Sequence, residues 1–288
     1  MSDGANLYYT LSENESRRFR KILLDNLTRS ASLDTATNDT YDGIGRLGEK
    51  QMHSALKYFI CPDETCHEVK IQNSPLYIQK EENTKNRKYV ADILNGDTIY
   101  EIQTGGFAPL EEKIKWILDN TSYRVVVIHP IAQTKWVSKI DENGNISPRR
   151  KSSRKGRLEN IAGELYFFRH FLSSPRFSLM VVMMEAEQYV KTKKQSRRAK
   201  KYELIPISLL GVYLFKNAAD YSYFIPDSLP DTFTVKQYSE HTKIKGIDAY
   251  SITRTLCGLG LLSEGETCGR ARTYQKISAK KQCVETKN

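Results

Sequence analysis

The chain predicts an α/β protein: a mixed sheet flanked by helices, followed by a smaller C-terminal domain of helices and a hairpin. Three observations carry this expectation. Tyr89 to Gln103 contains two runs of β-branched and aromatic residues around Asn95-Gly96, the strongest short-range hairpin signal. Val125 to Ile131 is a continuous apolar run, as a strand covered on both faces requires. Before, between and after these runs, apolar residues recur at helical spacing.

In chain order, Ser12-x-x-Glu15 has the form of a capping box, and Phe19, Ile22, Leu23 and Leu27 follow as the stripe of an accessory helix. Thr28 to Thr40 lacks periodicity and reads as a linker. Ile44, Leu47, Met52, Ala55, Leu56 and Phe59 mark a second helix, with Glu49 at the border of its apolar stripe. Glu68 to Lys80 suggests a strand, and Phe107 to Leu118 a helix opened by Pro109. Asp141 to Gly144 signals a second hairpin, Leu158 to Leu172 a helix, and Phe177 to Glu185 a strand.

Beyond the basic block Lys191 to Lys201 the pattern changes. Ile207 to Phe215 suggests a helix, Thr234 caps a short one, and a longer one runs from Ile247 to about Leu259, where Gly260 ends it. Ser263 to Arg272 then reads as a hairpin. These signals divide the chain into 1–40 (helix and linker), 41–200 (the main α/β domain) and 201–288 (the smaller domain).

A formal charge of +10 favours an anionic partner. Nucleic acid comes before membrane, because no apolar run approaches the length needed to span a bilayer. Met1 to Asn14 contains no signal peptide, and the five cysteines, Cys61, Cys66, Cys257, Cys268 and Cys283, have no regular spacing, so a reducing cytoplasm is expected. Cys61-x-x-x-x-Cys66-His67 lacks a second pair at zinc-ligand spacing.

The chemistry concentrates on the first hairpin. With Asn95-Gly96 as the loop, Asp92 and Glu101 become diagonal neighbours on one face, roughly 7–8 Å apart at the backbone. A four-residue loop sets them directly opposite, and a three-residue loop separates them. Gln103 joins that face by the period of two. Carboxylates on strands of Val, Ile, Leu and Tyr are costly unless a cation or solvent compensates them, and a hard divalent ion takes such oxygen ligands. Solvated acids on an open sheet face are the plain alternative.

This segment resembles the PD-(D/E)XK nuclease superfamily, whose core carries Asp on one strand and Glu-x-Lys on the next. Asp92 and Glu101 match the two acids, Glu49 the acid many members supply from the first core helix, and Gln103 stands where lysine is usual. The resemblance spans Gly43 to Ile140. It implies a restriction-endonuclease-like sheet, magnesium (with manganese as a substitute) on Asp92, Glu101 and the Ile102 carbonyl, and hydrolysis of a phosphodiester. It implies no small-molecule cofactor and leaves a homodimer open. Glutamine offers an oriented amide without charge, so a lysine from elsewhere, such as Lys113 or Lys115, or the metal alone must carry the electrostatic load.

Two basic regions complete the expectation. Arg149, Arg150, Lys151, Arg154, Lys155 and Arg157 are interleaved with hydroxyl and glycine residues, a composition suited to phosphate contacts, although a solvated charge run has the same look. The end of the chain resembles a winged helix-turn-helix. That implies Ile247 to Leu259 as recognition helix, with Lys245, Tyr250, Ser251 and Arg254 facing the groove of double-stranded DNA, and a wing carrying Arg270 and Arg272. The expected activity is a metal-dependent DNA endonuclease of restriction or defence type. An inactive nuclease fold serving a sequence-specific DNA-binding protein, and a nuclease on RNA or branched DNA, are the alternatives.

Overall fold

The computed structural model describes residues 7–34, 44–71, 89–191, 200–269 and 271–277, with the side chains of 27–34, 44–50, 200–203 and 268 left out. The elements are β1 (Tyr8–Thr10), α1 (Glu13–Asp34), α2 (Ile44–Ile60), β2 (His67–Lys70), β3 (Val90–Asn95), β4 (Thr98–Ile102), α3 (Glu111–Asn120), β5 (Arg124–Ile140) and β6 (Arg150–Lys151). There follow α4 (Leu165–Phe168), β7 (Phe177–Lys191), β8 (Lys200–Phe215), β9 (Thr232–Thr234), α5 (Val235–Thr242), α6 (Ile247–Gly258), β10 (Leu262–Cys268) and β11 (Ala271–Lys276). Among the described residues no helix is long and apolar enough to cross a membrane.

The architecture is α/β, with a large mixed sheet flanked by helices. It divides into two compact units, each assembled from separated segments. The first takes residues 1–104, 126–157 and 180–214; the second takes 105–125, 158–179 and 215–288.

The first unit carries the sheet, ordered β1-β8-β7-β5-β4-β3-β2, with β6 paired to β5 off that path. Its core joins Phe19 of α1, Met52 and Leu56 of α2, Ile93 of β3, Ile102 of β4, Val182 and Met184 of β7, and Leu209 of β8. The expected capping box opens α1: Glu15 N–H donates to Ser12 Oγ at 3.3 Å, and Ser12 N–H to Glu15 Oε2 at 2.8 Å. Phe19 is fully buried and meets Phe59 edge-on at 5.5 Å. The helix expected to pack on the main domain does so, and contributes Phe19 to its core.

In the second unit, Phe107 stacks on Phe168 at 4.6 Å, and Phe177 meets Phe168 edge-on at 5.5 Å. The Arg176 guanidinium donates to the carbonyls of Leu118, Thr121 and Tyr123, closing the end of α3 as a cation at a helix C-terminus does. Strands β10-β11-β9 form a three-stranded sheet around α5 and α6. Phe233 stacks between Tyr238 and Tyr274, at 5.9 and 6.1 Å, and the Tyr238 hydroxyl donates to the Phe224 carbonyl. Thr234 caps α5 as expected and completes a capping box with Gln237, and Gly260 takes a φ of +70° just past α6.

Several sequence expectations are corrected. Residues 207–215 form strand, not helix: β8 lies between β7 and β1, so the boundary expected near 200 falls between two paired strands. A continuous apolar run does not distinguish strand from buried helix by periodicity, and Ile205, Ile207, Val212 and Tyr213 suit a strand. The helix expected over 158–172 is a 3-10 turn at Leu158–Ile161 followed by the single turn α4, with Gly163 between them. Its inward residues Ile161, Leu165, Phe168 and Leu172 are nevertheless buried, because consecutive turns can reproduce helical spacing.

Of the linker expected over Thr28 to Thr40, residues 28–34 belong to α1 and 35–40 lie outside the described residues. Of the strand expected from Glu68 to Lys80, β2 covers the start and 72–80 lie outside the described residues, as do 192–199 of the second basic block.

Candidate functional site

The hairpin register decides whether the two acids can meet. Ile93 pairs with Tyr100, Leu94 with Ile99 and Asn95 with Thr98, so the loop is Gly96-Asp97 rather than Asn95-Gly96. Gly96 has a φ of +60° while neither Asn95 nor Asp97 is positive, the pattern of a type II′ turn with glycine at its first central position. An Asn95-Gly96 loop of type I′ would have required positive φ at both residues. The pairing ends at Ile93–Tyr100, in the register expected of a four-residue loop, and Asp92 and Glu101 are the next residue on each strand.

Glu101 is 2% exposed. Asp92 is half-buried, and its Oδ2 accepts the Ile102 N–H at 2.8 Å. The carboxylate thus takes a backbone donor at the point where paired residues end, beyond Ile93 and Tyr100. His53 of α2 places Nε2 3.0 Å from the same oxygen. An ionised carboxylate only accepts, so Nε2 carries the hydrogen in this contact.

One turn farther along α2, Lys57 is 8% exposed and bonds Glu68 of β2. The β2–β3 register, His67 with Ile93 and Val69 with Ala91, brackets Glu68 against Asp92. Glu68 has a φ of +51°, which interrupts the pairing at that residue. A single helix therefore answers acids on two adjoining strands, His53 for Asp92 and Lys57 for Glu68. Sequence reasoning missed both, although they follow Glu49 at i+4 and i+8, the spacing that keeps side chains on one helix face. Glu49 itself lies on α2, and its side chain falls outside the described ones.

Gln103 is fixed through its backbone. Its N–H donates to the Ile128 carbonyl at 2.8 Å, and its carbonyl accepts from His129 Nδ1 at 2.7 Å. The next residue of β5 is Pro130, which has no N–H to give, so the imidazole supplies the donor there. Lys113 and Lys115 belong to α3 in the other compact unit.

The donors on β3 and β4 are hard oxygens: the Asp92 and Glu101 carboxylates and the Ile102 carbonyl. Magnesium suits such a set, since it commonly takes one or two carboxylates and keeps several waters. Among the described residues no group of three or more His, Cys, Asp or Glu side chains converges as a metal cluster. The chemical fit rests on the two carboxylates.

Part of the first basic run forms β6. Arg150 pairs with Val137 and Lys151 with Trp136, and both cations are exposed. Arg149 lies 4.8 Å and Lys151 5.9 Å from the centre of the Trp136 ring, while Arg149 Nη1 is 3.9 Å from Glu187. Arg154, Lys155 and Arg157 are exposed beyond the strand. Gly156 closes the run: its N–H donates to the Ala132 carbonyl, and a Cβ there would stand 2.5 Å from that oxygen.

In the second unit, α6 presents Ile247, Tyr250, Ser251 and Arg254 along one side; Ile247 is 79% and Tyr250 61% exposed. Lys245 is exposed just before the helix. Asp248 packs so closely on Gly163 that a Cβ there would stand 2.2 Å from Asp248 Oδ1. Arg272 is held across the β10–β11 hairpin by both oxygens of Glu264, each at 2.9 Å. Arg270 lies outside the described residues.

Fold and site together define an α/β protein with a buried and a half-buried carboxylate set across one hairpin. Residues 50–213 match the family model described as "Domain of unknown function (DUF8091)", and the chain belongs to that family. The matched stretch runs from α2 through β8 and includes His53, Asp92, Glu101, Gln103 and the first basic run. A relative printed as "Uncharacterized protein" from Treponema pallidum (strain Nichols) is 25% identical over 238 residues, covering 81% of this chain and 87% of its own. No solved structure matches.

Proposed function

We propose that the protein is a metal-dependent endonuclease of the PD-(D/E)XK type acting on double-stranded DNA, with β9 to β11, α5 and α6 as a winged-helix module. The observation that carries this reading is that Asp92 and Glu101 directly follow the last pair of one hairpin, one on each strand, while Asp92 Oδ2 takes the Ile102 N–H. Asp92, Glu101 and the Ile102 carbonyl would hold magnesium or manganese. When bound, the ion supplies an acidified water and charge stabilisation at a phosphodiester.

The chain's own side chains do the rest. His53 orients the Asp92 carboxylate through Oδ2, as partners of metal-ligating groups commonly do. Gln103, fixed by Ile128 and His129, offers an amide where the superfamily usually has a cation. Arg150, Lys151, Arg154 and Lys155 supply donors for phosphate oxygens. The order β9-α5-α6-β10-β11 supports the winged-helix part, with α6 as the helix presented to the groove.

The test is plasmid nicking and linearisation by the purified full chain with Mg²⁺ or Mn²⁺. Cleavage is expected in the parent and lost in Asp92→Ala and in Glu101→Ala, with DNA binding kept. Unchanged cleavage in either variant overturns the site. Gln103 favours a second reading, a DNA-binding protein whose nuclease fold is inactive. It gains if the parent binds duplex tightly yet cuts neither duplex, single-stranded, branched nor RNA substrates.

A further inference from the structure

Cys61 directly follows α2, and Cys66 closes the 3-10 turn Glu64–Cys66 that leads into β2. Both thiols are free. Cys61 is 4% exposed and belongs to the first core, while Cys66 is half-buried and packs against that core.

One carbonyl oxygen draws the two residues together. The Asp63 carbonyl accepts the Cys61 thiol at 3.7 Å and the Cys66 N–H at 3.2 Å. The Cys66 thiol in turn hydrogen-bonds the Cys61 side chain, which raises its pKa. Sulfur is therefore set against sulfur across the short turn of residues 62–65.

Little in that turn is left to order. Tyr58 donates to Glu64 at 2.8 Å, the Asp63 carboxylate accepts both the N–H and the hydroxyl of Thr65, and His67 Nε2 lies 2.9 Å from the Cys61 carbonyl. The His67 ring also meets the Tyr58 ring edge-on at 5.1 Å. Chain entropy opposes ring closure, and a turn already held in place has lost much of that entropy on folding.

We infer that Cys61 and Cys66 form a reversible dithiol–disulfide pair, a redox site whose oxidation joins the end of α2 to the turn before β2. The oxidant is a small disulfide, here glutathione disulfide. The thiolate of the more accessible Cys66 attacks one of its sulfurs, forming a mixed disulfide and releasing one glutathione thiolate. The Cys61 thiolate then attacks Cys66 Sγ, closing the protein disulfide and releasing the second. The protein gives up two electrons and two thiol protons, and glutathione disulfide becomes two glutathiones. The inference is independent of the nuclease reading, since neither cysteine belongs to the hairpin site.

A glutathione redox titration of the full chain tests it, with acid quenching, alkylation of the remaining thiols and peptide mass spectrometry. A Cys61–Cys66 disulfide is expected, about 2 Da lighter than the dithiol and reversed by dithiothreitol. The folded chain should reach half-oxidation at a ratio of glutathione disulfide to squared glutathione about tenfold or more below that needed in urea, where the turn is no longer held. Cys66→Ala should abolish the disulfide. Cys61→Ala should instead accumulate glutathione on Cys66, because the thiol that resolves the mixed disulfide is gone. No Cys61–Cys66 disulfide across the titration, pairing of either residue with another cysteine, or an equal oxidant requirement in urea overturns the inference. So does Cys61→Ala that folds and takes up no glutathione at Cys66.

Discussion

His53 Nε2 stands 3.0 Å from Asp92 Oδ2, so a helix preceding the sheet touches a carboxylate of the hairpin that also carries Glu101. Under the nuclease reading His53 is a positioning residue. His53→Ala is expected to raise the magnesium concentration for half-maximal cleavage by about 10–100-fold, the usual cost of removing such a partner. Magnesium titrations of the cleavage rate check this, and Asp92→Ala should remain the more damaging change. Unaltered magnesium dependence would leave His53 a merely structural role.

Phe19 ties α1 into the first core. Phe19→Ala is expected to cost about 3–5 kcal/mol, because the side chain is fully buried and its removal leaves a cavity. Urea unfolding of the full chain measures it. A loss below 1 kcal/mol would show that α1 is an appendage to the first core.

Arg254 is exposed on α6 and Arg272 is occupied by Glu264. If α6 meets duplex DNA, Arg254→Ala should weaken binding to a preferred site by about 1–3 kcal/mol, read by fluorescence anisotropy. Glu264→Gln should release Arg272 and strengthen salt-sensitive binding to any duplex. Neither change having an effect would turn the module towards protein contacts.

Burial, with the Glu264 charge adding to it and Arg272 opposing, pushes the Cys257 thiol up to about 11. Alkylation at pH 8 should therefore be slower at Cys257 than in the unfolded chain, since the thiolate is the nucleophile. A raised thiol pKa favours the protonated folded state. Its contribution to stability is full below the unfolded value, near 9, and is lost as pH rises towards 11. Mass spectrometry of timed iodoacetamide reactions tests the first statement, and a Cys257→Ala comparison of unfolding at pH 8 and pH 10.5 the second.

The sequence alone determined the α/β class, the hairpin bearing Asp92 and Glu101, the capped helices at Ser12 and Thr234, and the basic run from Arg149 to Arg157, because periodicity, caps and turn residues act locally. It left three hairpin registers open. Backbone φ at Gly96 selected one, with Gly96-Asp97 as the loop. Only the tertiary structure made residues 200–215 a strand, by providing β7 and β1 as neighbours for an apolar run that local preference could not assign. His53 and Lys57 became visible for the same reason. Their partners lie 39 and 11 residues away, and such contacts exist only once the chain has packed.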